Sequence, residues 1–338
     1  MPKAVFFGLS GLALTPQEQA FFRAVRPAGY ILFARNIESR AQVRDLTSSL
    51  NALAHVDPLP ILIDQEGGRV RRLRPPLALE HPPVLPLGQL YDRDPAAACE
   101  AARLHGAAIG AELFVLGITV DCLPVLDLLF EETHAIIGDR AFSRDPAVVA
   151  ALGKAVMEGL GESSVVPVIK HIPGHGRAKA DSHLELPVVD APIDALSDTD
   201  FAPFAALSSA PMAMTAHILY SALDPNACAT HSPGIVGDII RKQIGFDGLL
   251  MTDDLSMKAL GGDMGERAQR SIDAGCDIIL HCNGDMAEME AVAEAAPTLA
   301  GQPLERLSGA MAWPQRGENA PDVAACVAKR DSLLGGLA

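Results

Sequence analysis

The sequence predicts an α/β fold, a single (β/α)8 barrel of the TIM type with extra C-terminal helices. Three observations lead to this prediction. Eight short apolar runs recur along the chain, Ala- and Leu-rich stretches at helical spacing separate most of them, and most runs end in a polar or charged residue. Continuous apolar strands are typical of a parallel sheet that is buried on both faces, and eight of them alternating with helices are typical of a closed barrel.

The eight predicted strands are short and mostly aliphatic. In chain order they are Val5 to Leu9, Gly29 to Ala34, Pro60 to Ile63, Ile118 to Val120, Val165 to Ile169, Pro211 to Ala216, Gly248 to Thr252 and Asp277 to Leu280.

Between these strands the apolar residues recur at helical spacing. The predicted helices are Arg40 to Leu53, Pro95 to Leu116, Pro146 to Gly161 and Met264 to Ala274. From about Met286 the chain is again helical, with breaks at prolines, which predicts closing helices. No Pro/Gly/Ser-rich linker divides the chain, so we expect residues 1–338 to form one domain.

Amino-acid composition and net charge indicate which kinds of molecule the protein binds. The 338 residues are 49% hydrophobic and 20% charged, which is typical of a globular protein with a large core. A net charge of -15 without a Lys/Arg cluster argues against binding to nucleic acid or to an anionic membrane. We expect a small-molecule substrate and a monomer.

The six cysteines are scattered and form no CxxC pair, which indicates a reducing compartment. The apolar stretch after Lys3 has no A-x-A cleavage site and is interrupted by Gly8 and Gly11. We therefore interpret it as the first barrel strand rather than a signal peptide, and expect a cytoplasmic location.

In this fold, the polar residues that follow the strands lie at the same end of the barrel. The active site of a (β/α)8 barrel lies at the carboxyl ends of its strands. We therefore expect Asp64, Lys170, His171, His217 and Asp253 to converge on one mouth.

The stretch GFDGLLMTDDLSM places Asp253 and Asp254 at a strand exit. A carboxylate at this point is oriented by the sheet and partly desolvated, which suits a nucleophile or a metal ligand. Asp at a strand exit is also a common N-cap of the next helix. With two adjacent aspartates, one can make a supporting contact while the other faces the mouth.

The stretch KHIPGHGRAKADSHLELP, residues 170–187, has three interpretations. His171, His175 and His183 together with Asp253 could ligate zinc, although their spacings are not diagnostic. Asp181 and His183 could instead form an acid/base pair, because residues i and i+2 of an extended segment face the same way. The third interpretation is a solvated loop with incidental histidines. Gly174 and Gly176 indicate a segment that moves or packs tightly.

Two further stretches carry arginines after predicted strands. IDQEGGRVRRLR contains Asp64 and Arg72, and IGDRAF contains Arg140. Carboxylates beside arginines can bracket a polyhydroxylated ligand with paired acceptors and donors. A surface arginine run is the alternative.

Together these stretches resemble the glycoside hydrolases of family 3, specifically the single-domain bacterial β-N-acetylglucosaminidases of the peptidoglycan-recycling type. IDQEGGRVRRLR, IGDRAF, KHIPGHG followed by DSH, MTAHILY and GFDGLLMTDDLSM occur in the family's order and span most of the chain. The resemblance implies that Asp253 is the nucleophile and that His183, polarised by Asp181, donates and later accepts the proton. It also implies that Asp64, Arg72, Arg140, Lys170 and His171 bind the sugar.

By the same resemblance, the enzyme is a retaining exo-β-N-acetylglucosaminidase without a cofactor or metal. It would remove terminal GlcNAc from β-1,4-linked fragments such as GlcNAc-1,6-anhydroMurNAc, with or without peptide, in cell-wall recycling. Ile172 stands where the family has an aromatic residue, which is a packing-level departure. Three alternatives remain open: a β-N-acetylglucosaminide phosphorylase of the same family, a metal-dependent amidohydrolase, and a sugar-binding barrel without activity.

Overall fold

The fold is a closed barrel of eight parallel strands surrounded by helices. A computed structural model describes residues 1–130, 137–180, 182, 184–313 and 321–335. The strands are β1 (Lys3–Gly8), β2 (Pro27–Leu32), β3 (Ile61–Ile63), β4 (Val120–Asp121), β5 (Val166–Ile172), β6 (Val188–Val189), β7 (Met212–Thr215), β8 (Leu219–Tyr220), β9 (Leu249–Asp254) and β10 (Ile278–His281).

Eight of these strands close the barrel in the order β1-β2-β3-β4-β5-β7-β9-β10, and β10 pairs with β1. The short strands β6 and β8 pair with each other in a separate two-stranded sheet. The predicted fold class is confirmed, and all eight predicted strands are present with ends that differ by at most three residues.

Burial on both faces of the sheet explains why the strands are continuously apolar. In β1, Phe6 belongs to the cluster inside the barrel, whereas Val5 and Phe7 pack outward against the helices. In β5, Val168 points inward and Ile169 points outward in the same alternation. Each strand therefore needs apolar residues at successive positions, because one faces the barrel interior and the next faces the helices.

The helices cover the outside of the barrel. The α-helices of the described residues are α1 (Pro16–Val25), α2 (Arg40–Asn51), α3 (Leu85–Tyr91), α4 (Pro95–Phe114), α5 (Pro146–Glu162), α6 (Ile193–Ala195), α7 (Ala202–Ala206), α8 (Met264–Ala274), α9 (Met286–Ala295), α10 (Gln302–Ala312) and α11 (Val323–Leu334). A further helical segment, Ile235–Gln243, lies between β8 and β9. The four predicted helices are confirmed as α2, α4, α5 and α8, with ends within two residues of the prediction.

Local sequence signals set the ends of several helices. Helix α8 begins after Asp263, whose carboxylate accepts from the Glu266 N–H at 2.9 Å while the Glu266 carboxylate caps the Asp263 N–H. This reciprocal capping satisfies two donors that the first helical turn leaves unpaired. The helix ends at Gly275, whose φ of 106° is in the left-handed region that favours glycine.

Helix α10 closes the end of the barrel opposite the carboxyl ends of the strands. Leu307 and Met311 of α10 join the apolar cluster inside the barrel, next to Ala4 at the start of β1. Helix α11 packs across α4 on the outside. Within the described residues, no helix combines the length and the apolarity needed to cross a bilayer.

Candidate active site

A cavity of about 230 Å³ opens at the carboxyl ends of the barrel strands. Six of the eight predicted site residues line it: Asp64, Arg72, Arg140, Lys170, His171 and Asp253. Phe33, Met214, Met257 and Leu280 supply apolar parts of the wall. The predicted convergence of strand-exit residues is therefore present for residues that come from β3, β5 and β9 and from the loop after β4.

Asp64 lies at the exit of β3 and accepts two charged donors. Lys170 Nζ donates to Asp64 Oδ1 at 2.8 Å, and Arg72 Nη2 donates to Oδ2 at 3.0 Å. Burial opposes ionisation of this carboxyl, but Lys170 and Arg72 lower its pKa well below the usual value. The guanidinium of Arg72 also lies 5.1 Å from the ring centroid of Phe33, which holds it at the cavity wall.

Glu66 is a site residue that the sequence reasoning did not assign. Arg140 donates from Nε to Glu66 Oε2 at 2.7 Å and from Nη2 to Oε1 at 2.8 Å. Lys170 Nζ lies 2.8 Å from Glu66 Oε1. Its position two residues after Asp64 in an extended segment was a usable signal, because i and i+2 face the same way.

Lys170 is the centre of this network. Its side chain is 2% exposed and contacts both Asp64 and Glu66. Burial favours the neutral amine, yet the two carboxylates raise the pKa of Lys170 above its usual value. A fully charged ammonium therefore lies at the base of the cavity with its donors in fixed directions.

Asp253 is a carboxylate of β9 that lines the cavity, as does its neighbour Asp254. Its Oδ1 accepts from the Asp254 N–H at 2.8 Å. Desolvation raises the pKa of Asp253, but the imidazoles of His217 and His171 outweigh it and the pKa lies below the usual value. Asp253 is therefore ionised at neutral pH, which a nucleophilic carboxylate requires.

Asp254 has the supporting role that two adjacent aspartates allow. Its Oδ1 accepts from the N–H groups of Ser256 at 3.0 Å and Cys282 at 3.1 Å, and its Oδ2 accepts from the Ser256 hydroxyl at 2.5 Å. These bonds tie the end of β9 to the residue that follows β10 and fix the backbone next to Asp253.

His171 is oriented by Asp127, a second residue that sequence reasoning left unassigned. His171 Nδ1 donates to Asp127 Oδ2 at 2.6 Å, and the carboxylate also accepts from the N–H groups of His171 and His175. Asp127 is fully buried, and His171 holds its pKa at about 2 against the effect of burial. The bond leaves Nε2 of His171 free to face the cavity.

His175 is a structural residue of the loop after β5. Its ring is 3% exposed, its backbone N–H donates to Asp127 at 2.7 Å, and its Nε2 lies 3.3 Å from the Ser182 hydroxyl. Burial lowers the pKa of His175 to about 4, so the ring is neutral. Asp181 and His183, the predicted acid/base pair, lie outside the described residues.

The two glycines beside His175 meet a packing requirement. A side chain at Gly176 would lie 2.2 Å from the Leu128 carbonyl oxygen, and Gly174 has a φ of 140° against Asp200. Residues 174–176 are all buried. Tight packing, one of the two predicted reasons for these glycines, accounts for both positions.

His217 lies beneath the mouth rather than on its wall. It is fully buried, and its Nε2 donates to the Asp254 carbonyl oxygen at 3.1 Å. Its Nδ1 lies 2.7 Å from the Thr230 hydroxyl. Burial lowers the pKa of His217, and the negative charge of Asp253 opposes that shift. The bond to the Asp254 carbonyl oxygen supports the backbone next to Asp253. Our expectation that it faces the mouth was wrong, because it projects into the packing below.

The zinc interpretation includes His183, which lies outside the described residues, so it stays a prediction. Among the described residues, no three His, Cys, Asp or Glu side chains are grouped to hold a metal ion. His171 and His175 instead both bind Asp127, one through its ring and both through their N–H groups.

Comparisons with known proteins show which family the chain belongs to. Residues 13–308 match the family described as Glycosyl hydrolase family 3 N terminal domain. A β-hexosaminidase from Aromatoleum aromaticum is 38% identical over 318 residues, which cover 93% of this chain and 88% of that protein.

Two solved structures of NagZ from Neisseria gonorrhoeae share the fold. The native protein superposes with a TM-score of 0.86 at 34% identity, covering 99% of this chain and 97% of that one. Its complex with N-trifluoroacetyl-D-glucosamine superposes with a TM-score of 0.86 at 33% identity, covering 99% and 98%. The chain therefore belongs to glycosyl hydrolase family 3 and is a glycoside hydrolase of the β-hexosaminidase type.

Proposed function

We propose that the chain is a retaining exo-β-N-acetylglucosaminidase that acts on peptidoglycan fragments in cytoplasmic cell-wall recycling. The observation that carries this proposal is the placement of an ionised Asp253 in one cavity with Asp64, Lys170 and Arg140. A carboxylate nucleophile beside fixed hydrogen-bonding groups for sugar hydroxyls is the arrangement that retaining hydrolysis requires.

In the proposed first step, a carboxylate oxygen of Asp253 attacks the anomeric carbon while the bond to the leaving oxygen breaks. His183, polarised by Asp181, gives its proton to that oxygen, and a covalent glycosyl-enzyme forms. In the second step His183 takes a proton from water, which attacks the same carbon and frees Asp253. Asp64, Arg72, Arg140, Lys170 and His171 hold the sugar through both steps.

The substrate proposal is a terminal, β-1,4-linked GlcNAc. The cavity of about 230 Å³ is smaller than the roughly 300–1,000 Å³ of sites for drug-sized ligands, so it suits one sugar ring and exo cleavage. The Neisseria protein forms a complex with N-trifluoroacetyl-D-glucosamine, which supports an amino-sugar substrate. We propose GlcNAc-1,6-anhydroMurNAc, with or without peptide, as the full substrate.

The test is hydrolysis of 4-nitrophenyl β-N-acetylglucosaminide and of GlcNAc-1,6-anhydroMurNAc by wild type, Asp253→Asn and His183→Ala. Asp253→Asn removes the nucleophile, and we expect a loss of roughly 1,000-fold or more in kcat. His183→Ala removes the proton donor, and we expect a loss of roughly 100- to 10,000-fold on the natural aglycone and less on the aryl substrate. Activity that survives Asp253→Asn would overturn the covalent mechanism.

Added phosphate and chelator separate the remaining alternatives. Formation of GlcNAc-1-phosphate in place of free GlcNAc would identify a phosphorylase. Loss of activity with chelator and recovery with zinc would identify a metal-dependent hydrolase. Binding of GlcNAc without turnover would leave a sugar-binding barrel.

A further inference from the structure

The C-terminal helix α11 carries a buried arginine outside the stretch that matches the family. Arg330 is 1% exposed, whereas the family match ends at residue 308. A buried guanidinium is costly unless its donors are satisfied, so its partners indicate what it does for the molecule.

Arg330 holds the segment that precedes α3. Its Nη1 donates to His81 Nδ1 at 2.9 Å, and its Nη2 donates to the Glu80 carbonyl oxygen at 3.3 Å. Its Nε donates to Asp331 Oδ1 at 2.9 Å, and the side chain of Asp331 is 55% exposed. The contacts with Glu80 and His81 therefore connect α11 to a segment that lies about 250 residues earlier in the chain.

The chemistry of arginine defines the tautomer of His81. Arginine has no acceptor, so His81 Nδ1 is unprotonated and its Nε2 carries the hydrogen. That Nε2 donates to Glu112 Oε2 on α4 at 2.8 Å. The other oxygen of Glu112 accepts from the Leu79 N–H at 2.7 Å. Residues 79–81 are thus held from α11 on one side and from α4 on the other.

The same segment supports the turn that follows Glu66. The Gly68 N–H donates to the His81 carbonyl oxygen at 2.8 Å. A side chain at Gly67, where φ is 95°, would lie 2.4 Å from the Pro82 carbonyl oxygen. The turn and residues 81–82 are therefore in direct backbone contact, and a shift of one displaces the other.

His105 adds a second contact to this turn. Its Nε2 donates to the Glu66 carbonyl oxygen at 3.0 Å, and its ring packs edge-on against His81 at 5.7 Å between centroids. Burial, and next the charge of Arg330, lower the pKa of His105 well below the usual value. The ring therefore stays neutral, with Nε2 as its donor.

We propose that Arg330 is a positioning residue: through His81 it holds the turn after Glu66, and so the carboxylate that directs Lys170 and Arg140 into the cavity. The inference rests on the proposed function, because it assumes that this cavity binds the sugar. Helix α11 then contributes to substrate binding without touching substrate.

The test compares Arg330→Met, Arg330→Lys and Lys329→Met with wild type on 4-nitrophenyl β-N-acetylglucosaminide. Lys329 is the matched control, since it is the neighbouring residue of α11, is 60% exposed and pairs with Glu100 on the surface. Assays are run well below the melting temperature of each variant. We expect Arg330→Met to raise KM roughly 3- to 30-fold with a smaller change in kcat. Arg330→Lys restores part of the loss, and Lys329→Met leaves KM unchanged.

A second variant keeps the proposal testable if Arg330→Met does not fold. Glu112→Gln is nearly isosteric and places an amide opposite the His81 N–H. It is expected to raise KM in the same direction without touching the cavity. Unchanged KM in the folded variants, whatever their melting temperatures, would mean that Arg330 only stabilises the fold.

The proposed function and the positioning role fail in different ways. An inactive wild type contradicts the proposed function alone. In that case the dissociation constants of the same variants for N-acetylglucosamine are measured by calorimetry. The positioning role predicts that Arg330→Met raises the dissociation constant roughly 3- to 30-fold over wild type. Lys329→Met should leave it unchanged.

Discussion

Replacing Lys170 by Met tests whether the charge network, rather than apolar packing, holds the base of the cavity together. The ammonium lies 2.8 Å from both Asp64 Oδ1 and Glu66 Oε1 and is 2% exposed. Each contact is worth about 6 kcal/mol of Coulomb energy at an effective dielectric constant of about 20, and desolvation offsets part of it. Breaking a buried pair by removing one partner costs about 3–5 kcal/mol, which we expect here at pH 7.

The stability lost in Lys170→Met should depend on pH in a defined direction. In the wild type Arg140 and Lys170 hold the pKa of Glu66 at about 2, and Asp64 is lowered as well. Carboxyls with a lowered folded pKa stabilise the protein above their unfolded values and lose that contribution as pH falls through the folded pKa. The gap between wild type and Lys170→Met should therefore be largest above about pH 4.5 and narrow towards pH 2.

The assay is thermal and denaturant unfolding of both proteins from pH 3 to 8, with Lys242→Met as the control. A loss of 3–5 kcal/mol corresponds to roughly 4–7 °C in Tm, because a chain of this length has an unfolding entropy of about 0.7 kcal/mol/K. Lys242 is 75% exposed and pairs with Asp238, so its replacement should cost less than about 1 kcal/mol. Equal losses in the two variants, or a gap that does not change with pH, would refute the reasoning.

Two further variants test buried carboxyls near the site. Asp121 is fully buried, and burial raises its pKa well above 3.8. Above pH 3.8 the unfolded wild type ionises this carboxyl while the folded protein does not, which costs the wild type up to about 1.4 kcal/mol of stability per pH unit. Asp121→Asn lacks this cost and should be more stable than wild type. Chemical denaturation across pH checks this, and a variant less stable than wild type at pH 7 would contradict it. Asp127→Asn removes the charged acceptor of His171 Nδ1, a bond worth about 1.5–3 kcal/mol, so kcat/KM should fall roughly 10- to 150-fold while the fold remains. Unchanged kinetics on the aryl substrate would show that His171 needs no such orientation.

The elements of the barrel could be predicted from local sequence because each depends on neighbouring residues. Continuous apolar runs mark strands that are buried on both faces, and the helix α8 is bounded by a capping box at Asp263 and by Gly275. Strand ends were less accurate. The predicted end of β5 at Ile169 fell three residues short, because Lys170 and His171 continue the strand as polar residues.

The site was predictable as far as the fold itself brings residues together. Parallel strands in a barrel share one mouth, so Asp64, Lys170 and Asp253 could be assigned to it before any distance was known. Glu66 and Asp127 were missed, because residue order does not show which cation pairs with which carboxylate; for Glu66, the spacing of two from Asp64 indicated only a shared direction. The wrong expectation for His217 has the same cause: a polar residue at a strand exit can point into the cavity or into the packing below it.

The barrel, its functional end and most of the strand-exit residues at the cavity can be inferred from the amino-acid sequence alone. These follow from periodicity and from residue types at strand exits, which are local properties of the chain. The hydrogen-bond and ion-pair partners of these residues depend on the tertiary structure. Whether Arg330 meets His81, or Lys170 meets Glu66, depends on how distant segments pack, and their ionisation follows from the burial and charges that packing creates.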